Sequence, residues 1–102
     1  MLEFVKKLLG PRVDLAQKMK EGAVIVDVRS PGEYAAGHVK GSKNIPLNDI
    51  ESKLEAIKKW NKPVITCCAS GMRSGSAASV LNRNGLEAYN AGPWQKADRL
   101  TQ

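Results

Sequence analysis

The sequence predicts an α/β fold on a mainly parallel central sheet. Short apolar runs alternate with segments of helical periodicity, and the breaks between them carry Pro, Gly and Asn. The run at 23–28 reads as a buried strand. Ser30-Pro31-Gly32-Glu33 follows, with an N-cap, a proline at the first helical position and an acid at the third. That is a capping-box pattern, and it predicts a short helix ending near Gly37. Residues 44–47 form a brief strand. Asn48 or Asp49 then caps a helix with Ile50, Leu54 and Ile57 on one face. Pro63 marks the start of the central strand, Val64-Ile65-Thr66-Cys67, and Ala77, Ala78, Val80 and Leu81 pack the next helix. Asn84-Gly85 closes that helix with a left-handed cap, and 86–90 returns to the sheet.

Composition fits one small domain over residues 1–102, since 42% hydrophobic and 25% charged residues are ordinary for a soluble globular chain. The formal charge of +6 raises the question of nucleic acid, but aromatics are few and the basic residues are dispersed. A modest positive field that draws small anions is the better reading. Residues 1–10 have apolar positions at helical spacing, interrupted by Glu3, Lys6 and Lys7. They predict a short amphipathic helix docked on the domain, not a signal peptide or a membrane span. Two adjacent cysteines make no disulfide framework, which points to a reducing cytoplasm. A monomer without cofactor or metal is expected.

Cys68 is the candidate nucleophile. It ends an apolar strand and is followed by Ala69-Ser70-Gly71-Met72-Arg73-Ser74 and a helical segment. Unpartnered amides and the macrodipole at a helix start favour an anion in the preceding loop. A free thiol titrates near ~8.5, and such surroundings bring it to roughly 3.5–7.5, which makes most of it thiolate at neutral pH. Arg73 adds a permanent cation at the rim of the loop. The alternative, a small hydrophobe closing a buried strand, sits poorly beside Ser70, Gly71, Arg73 and Ser74.

The run Cys68-Ala69-Ser70-Gly71-Met72-Arg73-Ser74 resembles the active-site loop of rhodanese-like sulfurtransferases. Val26-Asp27-Val28-Arg29, Glu33-Tyr34, Gly37-His38-Val39-Lys40-Gly41-Ser42 and Asn44-Ile45-Pro46 resemble the family's first half, and Ala88-Tyr89-Asn90-Ala91-Gly92 its closing strand and turn. Two positions depart from the pattern. Ala69 stands where a larger or charged residue is frequent, and Ala91 replaces the first of a common glycine pair. The resemblance implies a three-layer α/β/α fold and transfer of sulfane sulfur from thiosulfate through a Cys68 persulfide to cyanide, a thiol or a protein cysteine. It also implies that residues 69–74 bind the donor, with Arg73 orienting its sulfonate.

Cysteine phosphatases and arsenate reductases resemble C-x5-R, whereas four residues separate Cys68 from Arg73, leaving less room for a tetrahedral phosphate. A persulfide carrier docking through its basic surface needs the same cradle. Cys67 alternates to the opposite strand face and reads as structural. His38, the only histidine, lies in no zinc-ligand spacing and reads as structural too. Asp27 and Arg29 brace the site wall through hydrogen bonds or an ion pair. Trp60 and Trp94 pack the core or an edge, with the pocket rim a second place for Trp94.

Overall fold

The computed structural model of the chain describes residues 13–102, so the helix expected over 1–10 lies outside the described residues. Four parallel strands form one sheet in the order β2-β1-β3-β4. They are β1 (Val24–Asp27), β2 (Lys43–Asn44), β3 (Val64–Cys68) and β4 (Ala88–Pro93). The sheet is covered on both faces, giving a three-layer α/β/α fold. Helices α3 (Leu54–Trp60) and α4 (Met72–Arg83) supply Ile57, Ala77, Ala78 and Leu81 to a core with Val26, Val64 and Cys68. On the other face α1 (Leu15–Lys20) and α5 (Trp94–Arg99) pack Leu15, Met19, Trp94 and Ala97 against Ile25, Ile65 and Cys67. Strand alternation explains why Cys67 and Cys68 join different cores. Among the described residues no helix is long and apolar enough to cross a membrane.

Helix α2 (Pro31–Ala36) forms as expected. Glu33 accepts from the Ser30 amide at 3.0 Å while Ser30 Oγ accepts from the Glu33 amide at 3.3 Å, the reciprocal capping box. Helix α4 also ends as expected. Gly85 has φ +82°, and the Leu86 amide donates to the Leu81 carbonyl at 3.0 Å.

Three local expectations are corrected. Neither Asn48 nor Asp49 caps a helix: two 3-10 turns, Leu47–Asp49 and Glu51–Lys53, lead into α3, whose start has no side-chain cap. Tight i to i+3 bonds, Asp49 N–H to Pro46 at 2.8 Å and Lys53 N–H to Ile50 at 3.1 Å, bring Ile50 into the core along with Ile57. Strand β2 stops at Asn44 because Pro46 has no N–H, although the Ile45 and Leu47 amides still donate to Asp27 and Val28. Strand β4 begins and ends later than expected. Leu86 is used in the helix cap, and beyond Asn90 the register jumps: Thr66 pairs with Asn90 but Cys67 with Gly92, which leaves Ala91 as a bulge.

Consecutive strands run outward in opposite directions from β1 and β3, so a crevice opens at the carboxyl ends of that pair. Asp27 ends β1 there and Cys68 ends β3. Asp27 is fully buried and meets Arg29, 5% exposed, through Nη2 at 2.7 Å and Nε at 3.0 Å to both oxygens. Arg29 Nη2 also donates to the Gly37 carbonyl at 2.7 Å, and its guanidinium lies 5.0 Å from the Trp94 ring. One ion pair thus ties β1, the end of α2 and α5 together.

Removing one partner strands the other as a buried charge. Asp27→Ala is therefore expected to lower the unfolding free energy by roughly 3–5 kcal/mol in urea titrations, and a loss below about 1 kcal/mol would show that Arg29 is solvated without its partner.

Candidate active site

The expected loop is in part helix. Ala69, Ser70 and Gly71 form the turn after β3, and Met72, Arg73 and Ser74 are the first three residues of α4. Gly71 has φ +101°, in the left-handed region, and a Cβ added there would lie 3.2 Å from Gly92 Cα. Only glycine suits both constraints. The turn folds the chain back over the thiol, and the Gly71 amide donates to Cys68 Sγ at 2.9 Å. Ser74 Oγ stands 3.3 Å from the same sulfur.

Cys68 has no exposed surface. Burial is the largest influence on its thiol and pushes the pKa up. The Ser74 hydroxyl and the amides of Ser74, Gly71 and Ser70 together outweigh it and hold the value down to about 7. Cys67 lacks such donors. Burial, reinforced by the Asp27 charge, pushes it up to about 12. The two adjacent thiols are therefore of opposite character: one is half ionised at neutral pH and the other is an inert core residue.

Arg73 does not stand open at the rim. Its fork is engaged by Glu33, Nη1 to Oε1 at 2.8 Å and Nη2 to Oε2 at 3.0 Å. Arg73, followed by the Ser30 amide, holds the Glu33 carboxyl down to about 2, so the pair stays charged at any ordinary pH. The partner of Arg73 thus comes from the capping box of α2, a link forty residues long in sequence that the motif spacing does not reveal. A cavity of about 160 Å³ beside Arg73 is bordered by Val28, Ser30, Pro46, Leu47 and Asn48. A larger one, about 300 Å³, lies beside Pro63 and Gly85 at the amino ends of β3 and β4, the opposite end of the strand from the cysteine. Met72, 79% exposed, projects from the mouth of the turn.

The remaining candidates take supporting places. Asp27 and Arg29 form the buried brace already described. His38 stacks on Tyr34 with ring centres 3.7 Å apart, and its Nδ1 is 2.7 Å from the Tyr34 carbonyl, in the turn after α2. Trp94 packs in the second core, on the sheet face opposite Cys68, so it is not a rim residue. Trp60 flanks the first core. Among the described residues no three His, Cys, Asp or Glu side chains gather as a metal site would require. Two contributors escaped the sequence reading. Thr66 Oγ1 donates to the Ser74 carbonyl at 2.8 Å from within β3, and Asn90 reaches under the turn from β4. Their only sequence signal is a polar residue in an otherwise apolar strand pattern.

Comparison with known proteins agrees with this architecture. Residues 12–92 match the family model of the rhodanese-like domain. The uncharacterized protein YqhL of Bacillus subtilis is 42% identical over 69 residues, covering 67% of this chain and 54% of YqhL. The thiosulfate sulfurtransferase GlpE of Pseudoalteromonas translucida is 40% identical over 68 residues, covering 67% of this chain and 64% of that protein. The chain thus spans about half of the first relative and just under two-thirds of the second. The solved structure of a rhodanese with anions from E. coli superposes with a TM-score of 0.66 at 33% identity, over 72% of this chain and 89% of that one. A family model spanning most of the chain, and a cysteine turn set at the end of the third strand of a parallel sheet, lead to one assignment: the chain belongs to the rhodanese-like family.

Proposed function

We propose that the chain is a sulfurtransferase in which Cys68 carries a sulfane sulfur from a small anionic donor of the thiosulfate type to a thiophilic acceptor. The observation that carries this reading is the convergence of backbone N–H groups and the Ser74 hydroxyl on a single sulfur atom, which lowers its pKa to about 7. The Cys68 thiolate attacks the outer sulfur of thiosulfate. The donor's S–S bond breaks, sulfite leaves with the electron pair, and Cys68 Sγ–S⁻ remains. Cyanide, a low-mass thiol or a protein cysteine then takes the outer sulfur and returns Cys68 to the thiolate.

Within residues 69–74, the amides of Ser70, Gly71 and Ser74 and the Ser74 hydroxyl stabilise the charge in both steps, in the manner of an oxyanion hole. Glu33 takes one N–H from each terminal nitrogen of Arg73, so the donor is held by the backbone of the turn more than by this side chain. Met72 offers an apolar edge to the acceptor. Asp27 and Arg29 act through the rigidity of β1. The same arrangement disfavours phosphate ester hydrolysis, which needs the arginine fork on the phosphate, since that fork is bound to Glu33. The cytoplasm, with its reduced thiols, is the setting that suits this chemistry.

Cys68→Ser is expected to lower thiocyanate formation from thiosulfate and cyanide by about a thousandfold or more, and thiosulfate alone should add one sulfur atom to the wild-type mass. Mass gain without turnover would favour a persulfide carrier, while full activity in the mutant would remove Cys68 from the reaction. The pH dependence follows from the lowered pKa. The ionised form is the reactive one, so the rate should rise through pH 7, level off about one unit above it, and fall roughly tenfold per unit on the acid side. A midpoint above about 8.5 in initial rates would mean that the cradle does not stabilise the thiolate.

A further inference from the structure

One side chain touches each working part of the turn. Asn90 Oδ1 accepts from Ser74 Oγ at 2.7 Å and from the Gly92 amide at 2.8 Å, and Nδ2 donates to the Gly71 carbonyl at 3.0 Å. The orientation of the amide is determined: exchanging its oxygen and nitrogen would set N–H against the Gly92 N–H and oxygen against the Gly71 carbonyl. The bulge at Ala91 makes this reach possible. It keeps Asn90 in register with Thr66 and advances Gly92 to meet Cys67, bringing Gly92 beneath Gly71.

We infer that Asn90 is a positioning residue that sets the reactivity of Cys68 through the two groups it holds, the Gly71 peptide and the Ser74 hydroxyl. The inference rests on Cys68 being the nucleophile of the proposed sulfur transfer. The Gly71 carbonyl is pinned by Asn90 Nδ2 and by the Gly75 amide at 3.0 Å, which anchors the far side of the residue whose N–H, in the preceding peptide unit, donates to the sulfur. The Ser74 hydroxyl has one proton and faces two acceptors, Asn90 Oδ1 and Cys68 Sγ. A charged acceptor wins over a neutral one, so the hydroxyl turns to the sulfur when that atom is a thiolate. Asn90 Oδ1 keeps the Gly92 N–H meanwhile and is not left unpartnered. When the thiol is protonated, or the charge has moved to an outer sulfur, the hydroxyl turns back to Asn90. Only the Ser74 C–O bond rotates; no proton leaves the residue.

The charged groups around Cys68 come from several elements. They are Arg73 with its partner Glu33, the Asp27–Arg29 pair at the end of β1, and Lys96 of α5, whose stem lies near Gly92. Cys67 is the titratable neighbour on β3. None of these is hydrogen-bonded to Asn90, so substitutions at position 90 leave them in place.

The test is the rate of Cys68 alkylation by iodoacetamide against pH, followed by intact mass, in the wild type, Asn90→Ala, Asn90→Ser and Ser74→Ala. The wild type should show a midpoint near 7. The Asn90 variants release the Gly71 carbonyl and should move it toward the ordinary ~8.5, with about tenfold slower alkylation at pH 6 and little change at pH 10, whereas a midpoint moved downward would show that Asn90 only competes with the sulfur for the Ser74 proton and would overturn the inference. Variants that melt at lower temperature but keep the wild-type midpoint would show a merely structural role and overturn the inference. If both Asn90 variants fail to fold, Ser74→Ala decides: a raised midpoint supports the hydroxyl relay, and an unmoved one overturns it. Alkylation needs no sulfur donor, so a moved midpoint without thiocyanate formation would overturn the sulfur-transfer reading and leave Asn90 in its role.

Discussion

A sulfur atom shut away from water can hold a negative charge only if the protein supplies the hydrogen bonds that water would have given. For Cys68 that supply is the turn folded over it, with the Gly71 amide at 2.9 Å and the Ser74 hydroxyl at 3.3 Å. Much of the surrounding structure holds that turn still. Gly71 must adopt a left-handed conformation with no side chain to meet Gly92, Gly92 must itself hold φ +90°, and Thr66 must anchor the first turn of α4 to β3. A methyl group or a lost hydroxyl at any of these places acts on the thiolate without touching it.

The sheet sets the position of the turn, and the charges near it are mostly spoken for. Asp27 neutralises Arg29 inside the protein, and Glu33 neutralises Arg73 at the edge of the site. Cationic residues that look in sequence like anion receptors are in the fold members of pairs. Recognition of an anion then falls to backbone dipoles, which carry no net charge and do not need to be neutralised when the site is empty.

The strands, their parallel arrangement and the helix after Cys68 were legible because each rests on local signals: apolar runs, a capping box at Ser30, a glycine after Asn84. The position of the cysteine turn was legible for the same reason, as strand, thiol and small-residue turn are consecutive. What escaped was non-local. The 3-10 turns before α3 follow from burying Ile50, which outweighs the capping preference of Asn48 and Asp49. Glu33 was read only as a cap, and Asn90 only as part of a strand, because their second roles depend on residues 40 and 19 positions away. The bulge at Ala91 is set by pairing with β3, and no residue type at 91 announces it.

Cys67 and Cys68 are joined by one peptide bond yet belong to different cores, with side chains on opposite faces of the strand. Proximity along the chain therefore gives no chemical partnership. An oxidised sulfur at Cys68 finds no neighbouring thiol to form a disulfide, since Cys67 is held protonated on the far side of the sheet. Repair of a sulfenic acid at this site has to come from a thiol outside the protein. The reducing power of the surroundings, and not any reserve within the fold, sets how long the protein survives oxidant.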